Sequence, residues 1–225
     1  MYKFLLASSC EVVAFFIGMI MYRKLNKAYK LIYLQVFISF LIECGGFAFE
    51  KVHPRHSNAW LYNLYLPIDC GMLLWAAHYF INEKIKIRPF IFIVGYSVFI
   101  AVWLFCIIQS GWNEFAFIAV SVDGFLILIA YLLVLYSSII SNTNKLLTLS
   151  IFWTCLGIIL YYGCSIPYFS MYQYLAKKLT AAEDRKLYYI LLALNYIRYL
   201  SVTFSFYLHY KQNKPNKKSL SNASW

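Results

Sequence analysis

The sequence predicts an all-α, polytopic membrane protein, a bundle of seven transmembrane helices, and three observations carry that expectation. Of 225 residues, 62% are hydrophobic and only 13% are charged, about half the charged share of an ordinary soluble domain. The apolar residues fall into seven blocks, each roughly 20 residues long, the length that crosses a hydrocarbon core of about 30 Å. No block alternates polar and apolar residues at period two, as a membrane β-barrel would. In lipid the backbone amides must otherwise be satisfied within each segment, which means a helix.

The blocks follow in order. The first, Phe4–Tyr22, has only Lys3 before it, is interrupted by Glu11, and is followed by no small-x-small cleavage site. It therefore reads as a span and not as a signal peptide. In the second, Leu31–Phe49, Gln35, Ser39 and Glu43 recur every four residues on one helical face, and Glu50 continues that stripe to the surface. The third, Trp60–Ile81, aligns Tyr62, Tyr65 and Asp69 in the same way, and Pro67 withholds the hydrogen bond that the backbone near Asn63 would receive, kinking the helix before Asp69. The fourth, Pro89–Ile108, carries no charge. The fifth, Phe115–Ser137, contains Asp123, and the sixth is Leu146–Tyr168. The seventh, Leu187–His209, sets Asn195, Arg198, Ser205 and His209 along one line. The linkers leave no room for a soluble domain, so the expected organisation is one transmembrane domain, residues 1–210, and a basic, disordered cytoplasmic tail, residues 211–225.

Orientation follows from the basic residues. The first, third and fifth loops and the tail carry 12 Lys and Arg, whereas the opposite side carries 7. Lys and Arg collect on the cytoplasmic side, which gives an N-terminus outside and a C-terminus inside. The formal net charge of +11 is spread over these short flanks. It forms no separate basic domain, which argues against nucleic acid and for the lipid bilayer as the principal partner. All six cysteines fall inside apolar blocks, as buried thiols and not as a disulfide framework. Usage rich in Lys, Ile and Tyr suits a bacterial cytoplasmic (inner) membrane.

Five charges lie where lipid should exclude them: Glu11, Glu43, Asp69, Asp123 and Arg198. A charge at membrane depth is costly and marks a candidate functional site. Counted from the outer end of each block, they lie roughly 9 to 17 Å deep at a 1.5 Å rise per residue, so all five can meet in one layer. Four carboxylates against one guanidinium cannot all ionise in a dry pocket. Either some are protonated, or water enters, or a cation is bound. The layer thus points to an acidic, outward-facing pocket for a small cationic or proton-linked ligand, in a transporter or a sensor. Glu11, Asp69 and Asp123 supply the field, Arg198 sets its geometry, Asn195, Tyr62 and Tyr65 line it, and Glu43 is a further ligand-binding candidate of the layer. Sensing would engage a membrane or cytoplasmic protein partner. An intramembrane enzyme acting on lipid is the alternative, and a structural or accessory subunit is the second.

Other chemistry is weaker. Glu50, His53 and His56 in the second outer loop are the residues that could hold a divalent cation such as zinc, although Pro54 breaks helical spacing between the histidines. The last block has no lysine, which excludes a retinal Schiff base, and no H-x-x-x-H pair of the kind found in seven-helix ceramidase-like hydrolases. No G-x-S-x-G turn or phosphate-cradling glycine loop occurs. The stretch WLYNLYLPID, from Trp60 to Asp69, resembles the W-x-Y-N-x-Y-x-P-[IL]-[DE] signature of small uncharacterised bacterial multi-spanning membrane proteins. That resemblance implies the membrane class and carries no activity with it. Helices one to three and five to seven form a possible internal repeat, with Glu11 and Asp123 at matching depths and the fourth helix as linker.

Overall fold

A computed structural model describes residues 2–54, 56–82, 88–141, 146–175, 178 and 181–212. The tail beyond Gln212 and the basic loop residues Arg55, Lys84, Lys86, Lys145 and Lys177 lie outside the described residues. Among the described residues there are seven α-helices and no strand: α1 (Tyr2–Met21), α2 (Lys27–Val52), α3 (Ala59–Asn82), α4 (Phe90–Ser110), α5 (Phe117–Ser141), α6 (Ser150–Leu175) and α7 (Ala181–Gln212). Single 3-10 turns, Tyr22–Lys24 and Leu146–Thr148, precede α2 and α6.

Each apolar block of the sequence is a helix, but most helices run past their block. The largest extensions are at the end of α6, which runs to Leu175 instead of Tyr168, and at the start of α7, which begins at Ala181 instead of Leu187 and reaches 32 residues. A hydropathy boundary marks where side chains stop suiting lipid; the hydrogen-bonded backbone can continue into water beyond it. Local chemistry fixes other ends. Asn26 caps α2 by accepting the Tyr29 N–H at 3.0 Å, and α4 stops at Gly111, whose φ of 82° suits glycine.

Six of the helices, α2 to α7, are long and apolar enough to cross a bilayer. Large apolar side chains such as Phe16, Leu41, Val98, Phe105, Ile108 and Phe125 stand exposed around the outside, on a scale that water would not tolerate. The chain is an integral membrane protein.

Around the axis the helices pack in the order α1, α2, α3, α5, α6, α7 and back to α1, closing a ring of six. The fourth helix stands outside, against α3 and α5. The ring is thus made of α1–α3 and α5–α7, and α4 connects α3 to α5 from outside it. At the end where α2 begins and α7 finishes, the middle of the ring is packed solid by Tyr29, Ile32, Phe80, Ile127, Tyr131 and Phe206, all buried. The His209 ring lies 4.4 Å from that of Tyr29, and its Nε2 accepts the Asn26 N–H at 3.4 Å. The inward line read from the sequence therefore ends in packing.

At the α6–α7 seam, a Cβ on Gly157 would come within 2.7 Å of Ser201 Cβ and 3.1 Å of the Arg198 carbonyl oxygen. Only glycine admits this approach, which brings the backbone of α7 and Arg198 up against α6.

Candidate functional site

The other half of the ring encloses a cavity of about 150 Å³, room for several waters or a small organic molecule. Glu11, Glu43, Asp69, Asp123, Arg198, Asn195, Tyr62 and Tyr65 all line it. The residues singled out from the sequence are brought together in one interior space.

Asp69 is its anchor. Oδ1 accepts from Gln35 Nε2 and from the Tyr65 hydroxyl, both at 2.8 Å, and Oδ2 accepts from the Tyr162 hydroxyl at 2.7 Å. Gln35 Nε2 also donates to the Tyr65 oxygen at 2.7 Å. Donors from α2, α3 and α6 therefore converge on one buried carboxylate. Such charge-assisted bonds are about twice as strong as neutral ones.

The Arg198 guanidinium approaches the same group from α7, but its Nη2 stands 3.7 Å from Asp69 Oδ1, an ion pair beyond hydrogen-bond length. It is held instead by aromatic faces, with the rings of Tyr161, Tyr162 and Tyr199 centred 4.8, 5.2 and 5.5 Å away. Nη2 is buried and has no hydrogen-bond acceptor.

Two further acids close the layer. Glu11, 1% exposed, accepts from the Tyr199 hydroxyl at 2.9 Å, and Ser39 Oγ lies 2.9 Å from the same oxygen, so α1, α2 and α7 meet there. Glu43 is less buried and accepts from Tyr62 at 3.3 Å.

Asp123 is different. It is 2% exposed and the Cys70 thiol hydrogen-bonds it, yet its Oδ1 is buried with no partner. Neighbouring positions on a helix point about 100° apart, so Cys70 meets Asp123 while Asp69, one position earlier on α3, is bonded by Gln35, Tyr65 and Tyr162.

The backbone around Pro67, before Asp69, has its own supports. Pro67 has no N–H for the Asn63 carbonyl, and Trp103 Nε1 on α4 donates to that oxygen at 3.0 Å. The Asn63 side chain, fully buried, donates to the carbonyls of Trp112 and Glu114 at 3.0 and 2.8 Å and accepts the Ala116 N–H at 3.1 Å. The α4–α5 connection, which carries the cavity-lining Phe115, is thereby clamped to α3.

Sequence reasoning left out the contribution of α6. Tyr161, Tyr162, Ser165 and Phe169 complete the wall. With 21 tyrosines in the chain, a tyrosine pair in an apolar block carries no signal of its own.

The loop set lies elsewhere. Glu50, His53 and His56 are exposed, and the two imidazoles stack edge to face with centroids 5.9 Å apart. Among the described residues, no group of three His, Cys, Asp or Glu side chains is arranged to hold a metal ion.

Compared with known proteins, the chain matches no family model, no curated protein and no solved structure.

Proposed function

We propose that this is a seven-span protein, N-terminus outside and C-terminus inside, in which all helices including α1 cross a bacterial cytoplasmic membrane. Its ring binds a small cationic ligand from the outer side, as a transporter or a sensor. One observation carries the reading. Asp123 Oδ1 and Arg198 Nη2, an acceptor and a donor, are both buried at the cavity without a hydrogen-bond partner. A buried polar atom left unsatisfied costs about 1–3 kcal/mol, more when charged. A structural lock would satisfy both atoms within the protein, as Asp69 is satisfied. A binding site leaves them for its ligand.

The unpaired atoms also describe the ligand. Asp123 asks for an N–H or O–H donor, and Arg198 for an oxygen acceptor. Four carboxylates around one guanidinium favour a positive charge on the donor. A small amine carrying an oxygen nearby meets all three demands and fits the volume.

The test is the thermal stability of the purified protein in lipid nanodiscs, titrated with ethanolamine and with propylamine. A ligand of the native state raises Tm by mass action. Wild type should gain stability with rising amine, and Asp123→Asn should lose that response. If neither amine shifts wild type, or if the variant responds equally, the cavity is not an amine site.

A further inference from the structure

A second hollow, of about 580 Å³, lies on the outer surface between α4, α5 and α6, walled by Val98, Ile118, Val122, Phe125, Leu126 and Ile166. Val98, Ile118 and Phe125 are 52, 59 and 56% exposed, so this groove faces the bilayer and hydrocarbon is what fills it. Its position sets it apart from an ordinary dent. Phe169 lines both the groove and the acidic cavity.

A short run of phenylalanines divides the two spaces. Phe115 lines the cavity and Phe117 the groove; their rings are 4.9 Å apart, and the Phe169 ring lies 6.2 Å from Phe115. Phe169 on α6 is the side chain that faces both spaces. Beside it on the groove wall, Ser170 Oγ donates to Ser121 Oγ at 3.0 Å, and Ser121 Oγ donates to the Phe117 carbonyl at 3.0 Å.

We infer that the ligand of the cavity is an amphiphile, an amine-headed lipid or long-chain amine. Its head sits between Asp123 and Arg198, and its hydrocarbon chain leaves past Phe169 into the α4–α5–α6 groove. This rests on the amine-site reading above and extends it. The two spaces have complementary chemistry, one polar and net acidic, the other apolar and open to lipid, and they adjoin at a single side chain. A soluble amine would use the first and have no need of the second. An amphiphile already dissolved in the bilayer arrives from the side, with its chain still in an apolar environment and only its head exchanging surroundings. Gain in affinity then comes from the head, and the groove decides which molecules can present one.

The experiment uses the full-length protein in nanodiscs and two photoreactive probes with the same mid-chain diazirine on a dodecyl chain, one ending in an amine and one in a hydroxyl. Annular contact labels the lipid-facing surface alike with both. The expected result is severalfold greater labelling of residues 117–126 and 166–170 by the amine probe. That excess should disappear in Asp123→Asn and in Ile118→Trp, which fills the groove from an exposed position that folding does not depend on. Equal labelling of these segments by both probes, with ethanolamine still stabilising wild type, overturns the amphiphile and leaves the amine site standing. Equal labelling without any amine response overturns both.

Discussion

At the scale of single residues, the four acids divide by what already satisfies them. Asp69 accepts three hydrogen bonds and pairs with Arg198, so it holds helices together whatever else the cavity does. Asp69→Asn leaves one acceptor for those donors and an uncompensated guanidinium. Breaking a buried pair from one side costs about 3–5 kcal/mol, a fall in Tm of roughly 10 °C for a chain of this length. Asp123 Oδ1 has no protein donor to lose, so Asp123→Asn should stay within about 1 kcal/mol of wild type and shift Tm little while abolishing the amine response. Melting curves of the two variants side by side check this; equal destabilisation would assign both acids to structure. The distinction could not be made from sequence. Both are single aspartates inside apolar blocks, and what separates them is which neighbours reach each oxygen.

At the scale of helices, the Pro67 segment of α3 holds Asp69 against its neighbours. The sequence shows Pro67 and therefore a carbonyl near Asn63 without its helical donor, but the partner that replaces that donor is 40 residues away in α4. Trp103 is one of several aromatics in an uncharged helix, and nothing local marks it. Trp103→Phe keeps the ring packing, removes the donor to the Asn63 oxygen, and should cost about 1–3 kcal/mol as a buried carbonyl goes unsatisfied. Because Asp69 lies two residues beyond Pro67, the amine affinity should weaken too. Paired with Trp112→Phe, whose indole ring neighbours Trp103 at 5.7 Å but whose backbone oxygen still receives Asn63, the measurement separates loss of the donor from general loss of an aromatic. Helix existence was legible because lipid-length apolar blocks have few other solutions. Helix ends were less so, since α7 begins in the polar stretch at Ala181 that hydropathy assigns to a loop.

At the scale of the whole molecule, the polar layer was legible because a charge in lipid is rare enough to stand out, and helical spacing then tells which side of each helix faces inward. The closed order of the ring, the exclusion of α4 and the entry of α6 into the cavity wall depend on long-range packing that no single segment encodes. One consequence concerns sidedness. Tyr62, Asn195 and Phe115 line the cavity and are only half-buried, while the end of the ring containing Tyr29, Phe206 and His209 is packed. In the proposed orientation, with the N-terminus outside, a membrane-impermeant cationic thiol reagent should reach a cysteine at position 62 or 195 from the outer face of intact cells. In a background with Cys10, Cys44 and Cys164 replaced, Tyr62→Cys and Asn195→Cys should label, and Ser205→Cys, fully buried in the packed half, should not. An acidic cavity concentrates a cationic reagent and disfavours an anionic one, so the same cysteines should react more slowly with a sulfonate of similar size. Ethanolamine should protect them if it occupies the cavity. Labelling of Ser205→Cys that appears only when amine is added would identify a second, inward-open arrangement and make the protein a transporter. Protection at 62 and 195 with Ser205→Cys silent throughout is what a sensor requires.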